Sequence, residues 1–325
     1  MKTRTTMQTH VANYLAERRR LGYGLSQMGP AIAHFARYID QLKHRGPLTV
    51  ELMAQWAKSR CNKAEPAAWA RRLKLLRPFM RYLRQFEPLT DVPEESVFGP
   101  VPDRLTPHIY QEQEIVDLLA AARRLGPPGN LRAATHETLF GLIAAAGLRV
   151  SEAMDLLDID VDLKQGMLTI RQTKFAKSRQ LPLHPTTIAA LQRYRRLRNR
   201  HIVVTPETPF FVGSHGTYRG QRLRIHNVDR TFAGLRKQLG WVNRGAHHAP
   251  RVHDLRHTFA VKRVMLWHEH GTDIDQAMLA LSTYMGHAKI SNTYWYLTAV
   301  PGLMAVAAGT FERFAQVQTQ EVPHA

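Results

Sequence analysis

Residues 147–152 read Gly147-Leu148-Arg149-Val150-Ser151-Glu152, directly after the alanine-rich apolar run 131–146. That run carries apolar side chains at helical spacing, and Gly147 suits its C-cap because glycine enters the left-handed region without a Cβ penalty. Ser151 suits the start of the next helix. Arg149 is then expected on a tight turn between two helices, its guanidinium projecting into a cleft and Glu152 three residues on to orient it. An arginine in a turn is ordinarily just solvated, so this segment has weight only in company.

Its company lies on both sides. Downstream stands His253-Asp254-Leu255-Arg256-His257, where the i+3 and i+4 spacing puts His253, Arg256 and His257 on one helix face. A histidine pair at that spacing is also a zinc pattern, but no Glu follows the first His and no third ligand is evident. Further on come Tyr284-Met285-Gly286-His287 and Ser291-Asn292-Thr293-Tyr294-Trp295-Tyr296, aromatic-rich stretches of the kind that usually fill a core. Between the two halves, residues 167–172 and 179–183 read as short strands around a polar turn holding Lys174 and Lys177, a hairpin. Two arginines, several histidines, a lysine and a tyrosine make a phosphate site with a nucleophile. Arginine gives planar bidentate donors to phosphate oxygens, and two of them neutralise the charge that builds on a pentavalent transition state. No cluster of acidic residues suggests a two-metal site and no phosphate-binding GxxxxGK[ST] loop is present, so no cofactor or metal is expected.

The rest of the chain frames this group. Residues 111–125, 185–200, 225–239, 252–267, 274–285 and 301–314 read as further helices, so the C-terminal part is mainly helical with a small sheet. Prolines at 88, 93, 100, 102 and 107 mark a linker. The expected layout is a helical domain over 1–90, a linker over 91–106 and a second domain over 107–325. In the first domain, 7–20 has apolar Val11, Tyr14 and Leu15 before the breaker Gly22. Ser26 is a candidate cap for a helix with Ile32, Phe35, Ile39 and Leu42 on one face, and Thr49 for one with Leu52, Met53 and Trp56. A fourth, 66–86, should be kinked or divided at Pro78. It carries Arg71, Arg72, Lys74, Arg77, Arg81 and Arg84, which suit either a solvated face or a DNA-backbone face.

The net charge is +19, and the basic excess is spread along the chain: 17 basic against 8 acidic residues in 1–100, and 28 against 18 in 101–325. Such a surface attracts a polyanion and releases its counterions. The single cysteine, Cys61, excludes an internal disulfide and fits a reducing compartment. No apolar run approaches the roughly 18 residues of a membrane span, and the N-terminus MKTRTTMQTH lacks an apolar signal segment. The cytoplasm of a prokaryotic-type cell is expected.

In order and spacing, the motif residues from Gly147 to Tyr296 resemble the tyrosine recombinases, or phage integrase family, which includes the Xer-type enzymes and recombinases borne by mobile elements. The resemblance implies a SAM-like helical core-binding domain of four to five helices followed by an α+β catalytic domain. It also implies roles. Arg149 is the first catalytic arginine and Glu152 its supporting acid. Lys174 is the acid that protonates the 5′ oxygen, with Lys177 its rival across the same turn. His253 and Arg256 form the His-x-x-Arg box, and His287 donates to the scissile phosphate. Tyr296, nine residues beyond His287, is the nucleophile, with Tyr294 its rival. Two residues on a helix are about 200° apart, so the two tyrosines cannot share a face. The implied reaction is site-specific DNA recombination through a 3′-phosphotyrosyl link, with no ATP and no metal. It would run on double-stranded DNA gripped in a C-shaped clamp, by a homotetramer on paired sites. The terminal stretch 301–314 would dock on a neighbouring subunit. A type IB topoisomerase and a non-catalytic DNA-binding accessory protein are the competing readings.

Overall fold

The computed structural model describes residues 6–59, 66–99, 104–171, 178–287 and 289–299. The chain divides into two compact units, Met1–Arg104 and Leu105–Ala325.

The first unit holds four helices among its described residues: α1 (Met7–Arg20), α2 (Met28–Gln41), α3 (Val50–Lys58) and α4 (Pro66–Leu83). The Thr6 hydroxyl accepts from Thr9 N at the start of α1, and Arg18, Arg19 and Arg20 sit in its last turn, where cations favour the helix dipole. Thr49 caps α3 by accepting from Leu52 N, as its sequence position suggested. Ser26 does not cap α2: Gln27 holds that position without a side-chain bond, after Leu25 at φ 49°. Leu42 is the C-cap of α2 and 50% exposed, so the apolar stripe ends at Ile39. Helix α4 continues through Pro78 undivided, held by burial of Leu73, Leu76, Phe79, Met80 and Leu83 against Tyr14, Phe35 and Trp56.

Two of the arginines considered for a DNA-facing stripe on α4 make contacts within the fold. Arg77 is buried, donating to Glu94 O at 2.9 Å and pairing with Glu95. Arg72 donates to Ala57 O at 2.9 Å and stacks over the Trp56 ring at 4.4 Å. Arg71, Lys74, Arg81 and Arg84 are exposed.

The second unit is built on α6 (Leu131–Ala146), which is apolar on most of its circumference and packs most extensively against three other helices. These are α5 (Glu112–Arg123), α8 (Pro185–His201) and α10 (Val252–Glu269). The short α7 (Val150–Met154) follows α6, and α9 (Ile225–Leu239) packs on α5. A three-stranded antiparallel sheet runs in the order β1 (Val161–Asp162), β2 (Met167–Ile170), β3 (Arg179–Pro182). Leu168 faces Leu181 across β2 and β3, and both are buried. The hairpin matches its sequence reading; β1, two residues long, is too short to show alternation. Helices α11 (Ile274–Met285) and α12 (Ser291–Ala299) close the unit, making with α10 a separate cluster of Ala260, Val261, Val264, Met278, Leu281, Met285 and Tyr296. The stretch 301–314 lies outside the described residues. No helix among the described residues is long and apolar enough to cross a membrane.

Candidate active site

The site begins at the turn after α6. Gly147 is the left-handed C-cap, φ 61°. A Cβ there would meet the Phe259 ring, with Cε1 at 2.9 Å, so both backbone and space require glycine. Ser151 does not start α7; Arg149 holds the N-cap position, and Glu152 in the first turn accepts from Arg149 N at 3.0 Å. The same carboxylate accepts from Arg149 Nη1 at 2.5 Å. Glu152 therefore fixes both the backbone and the guanidinium of Arg149.

A second arginine converges from the sheet. Arg179, first residue of β3, binds Glu152 through Nη1 at 3.1 Å and Nη2 at 2.9 Å, and donates from Nε to Tyr284 O at 2.7 Å. Its Nη1 lies 2.7 Å from where a Cβ on Gly286 would sit, and Gly286 has φ 64°. The Gly286 carbonyl accepts from Arg149 Nη2 at 2.8 Å. Arg149 thus spans from α7 to the turn after α11.

The third arginine is Arg256 on α10, only 1% exposed. It donates to Gly147 O at 2.6 Å and Met285 O at 2.7 Å, and its Nη1 lies 3.9 Å from Glu152. Burial, then the neighbouring Arg149, pulls its guanidinium down to about 10, which leaves it cationic at neutral pH. Burial pushes the Glu152 carboxyl up, but the bonds from Arg179 and from the Arg149 backbone, with both guanidinium charges, outweigh it and bring it to about 2. Glu152 is the carboxylate that all three guanidinium groups share, so the cluster keeps a surplus of positive charge.

The histidines and the tyrosine lie against this cluster. His287 follows Gly286, its Nε2 3.0 Å from Arg256 Nη2 and its Nδ1 2.7 Å from Thr293 Oγ1. Arginine only donates, so Nε2 accepts, and a neutral ring then carries its proton on Nδ1 and donates to Thr293. The contact places His287 directly against the Arg256 guanidinium. Tyr296 on α12 is 2% exposed, its ring 6.2 Å from the His287 ring and 5.4 Å from that of His257. Its Oη is 3.2 Å from His257 Nδ1. His253 meets His257 edge-on at 4.7 Å. Burial, then Arg256 and Arg251, takes His253 down to about 4. Tyr294 is half-buried and packs on the same α10–α12 cluster as Tyr296.

The structure thus brings together Arg149, Glu152, His253, Arg256, His287 and Tyr296. Lys174 and Lys177 lie outside the described residues. Three members were not singled out from the sequence. His257 carried a signal, since it shares a helix face with His253 and Arg256. Arg179 had none, because its partners lie across the fold, and Thr293, six residues from His287, had no pattern to mark it.

Residues 109–301 match the profile of the phage integrase family. A protein of Sinorhizobium fredii (strain NBRC 101917 / NGR234) named "Putative integrase/recombinase y4rB" is 36% identical over 312 residues, 95% of this chain and 98% of that one. "Tyrosine recombinase XerC" of Syntrophus aciditrophicus (strain SB) is 29% identical over 249 residues, 73% of this chain and 71% of that one. Among solved structures, the Tn1549 transposon integrase in complex with transposon right end DNA superposes with a TM-score of 0.65 at 17% identity, covering 95% of this chain and 99% of that one.

Proposed function

Because this chain belongs to the phage integrase family, we propose that it is a site-specific DNA recombinase that cuts and rejoins strands through Tyr296. The observation that carries the assignment is the cluster of Arg149, Arg179 and Arg256 around the single carboxylate of Glu152, with Tyr296 beside it. Its surplus positive charge suits a phosphodiester, and guanidinium groups held in place need no reorganisation as charge builds on the phosphorus oxygens. Tyr296 Oη attacks phosphorus, forming a 3′-phosphotyrosyl ester as the bond to the 5′ oxygen breaks. Lys174 gives that oxygen its proton. The ester conserves the bond energy, so rejoining by a 5′ hydroxyl needs no ATP.

Double-stranded DNA is the partner, and the overall charge of +19 supports it. The helical domain 1–90, joined through the linker 91–106 to the catalytic domain 107–325, contributes Arg71, Lys74 and Arg81 to the phosphate backbone. Four copies act on two paired sites in the cytoplasm.

The test uses a supercoiled plasmid carrying two copies of the DNA that flanks this gene. Purified protein should yield recombinant products that depend on both copies, and Tyr296→Phe should yield none. Relaxation without a defined site would instead indicate a type IB topoisomerase, and binding without cleavage an accessory protein.

A further inference from the structure

We propose that His257 accepts the Tyr296 proton as Oη bonds to phosphorus, a reading that rests on the recombinase assignment above. A phenol with an ordinary value near ~10 is almost wholly protonated at neutral pH, so attack needs an acceptor at Oη. His257 Nδ1 lies 3.2 Å from that oxygen. The neighbouring histidines make other contacts among the described residues. His287 Nε2 accepts from Arg256, and its Nδ1 faces Thr293 Oγ1. Arginine has no lone pair to offer. His253 packs edge-on against His257.

The surroundings keep the ring neutral until DNA arrives. Burial lowers His257 first, followed by His253, Arg251, Arg256 and His247, to about 2. The ring is therefore neutral, and with its proton on Nε2 the Nδ1 lone pair faces the hydroxyl. A phosphodiester seated on the arginines adds the negative charge that stabilises an imidazolium at this position. In cleavage, the Oη–P bond forms, the proton passes from Oη to Nδ1, the P–O5′ bond breaks, and the 5′ oxygen takes its proton from Lys174. In rejoining, the 5′ hydroxyl attacks and gives its proton back to Lys174, the Oη–P bond breaks, and His257 returns the other proton to Oη.

The experiment measures single-turnover covalent adduct formation by the full chain on nicked duplexes drawn from its gene's flanks. Each duplex is made with an ordinary or a sulfur-bridged 5′ leaving group. Asparagine keeps an acceptor near the Nδ1 position but cannot carry the proton away. His257→Asn and His257→Ala should each slow adduct formation by ~100-fold or more on both duplexes, with DNA affinity unchanged. A sulfur leaving group needs no proton and should rescue Lys174→Ala alone. The proposal is overturned if His257→Asn cleaves within about threefold of wild type, or if sulfur restores its rate. Should His257→Ala melt early, His257→Asn carries the test. A wild-type chain that forms no adduct, or a Tyr296→Phe chain that still does, overturns the recombinase reading itself.

Discussion

Replacing Glu152 with Gln removes the shared carboxylate while preserving its size. Glu152 holds Arg149 at 2.5 Å and Arg179 at 2.9 Å, and Arg256 lies 3.9 Å away. Its carboxyl stands at about 2 against an ordinary 4.5. That difference corresponds to about 3 kcal/mol at neutral pH, an upper figure for one buried group. A folded value below the unfolded one means the contribution is present above pH 4.5 and is lost as pH falls toward about 2. In a unit of this size, about 3 kcal/mol lowers the melting temperature by roughly 6–12 °C. The assay is thermal melting of wild type and Glu152→Gln between pH 7 and pH 3. The gap should be widest at pH 7 and shrink by about half or more at pH 3. A gap below about 2 °C at pH 7, or one that does not change with pH, would refute the idea that a charged Glu152 holds the arginines together.

Six further substitutions separate parts of the account. Arg179→Lys loses the paired bonds to Glu152 and the bond to Tyr284 O, and should slow adduct formation by about tenfold or more without weakening DNA binding, as read by single-turnover cleavage beside gel-shift titration. Gly147→Ala puts a Cβ at φ 61° against Phe259 and should lower stability by about 1–3 kcal/mol, measured by denaturant unfolding. Arg77→Ala should destabilise the first unit and leave the salt dependence of DNA binding unchanged. Arg71→Ala, Lys74→Ala and Arg81→Ala should each reduce that salt slope by about 1, with melting unaffected.

Much of this arrangement was legible in the sequence because its determinants are local. Helix α6 ends at Gly147, where a left-handed cap is needed, and α9 ends at Gly240 for the same reason. The His253–Arg256–His257 face follows from helical spacing alone. What escaped depends on pairing across the fold. Arg179 reaches Glu152 from a neighbouring strand, 27 residues away, and His257 reaches Tyr296 across 39. Arg77 shows the opposite error. Its place in a basic run suggested an exposed stripe, whereas Glu94 O and Glu95 hold it inward. Ser26 and Ser151 are good capping residues, but Gln27 and Arg149 occupy those positions, because capping preference is weaker than the packing that sets where a helix starts.

The central claim is that Tyr296, and not Tyr294, becomes joined to DNA. The direct measurement is mass spectrometry of the proteolysed covalent adduct formed on a nicked duplex from the gene's flanks. The account predicts a 3′-phosphonucleotide on Tyr296 in the peptide spanning 291–299, absent from Tyr296→Phe and present in Tyr294→Phe. A nucleotide on Tyr294, or an adduct that survives Tyr296→Phe, would contradict it.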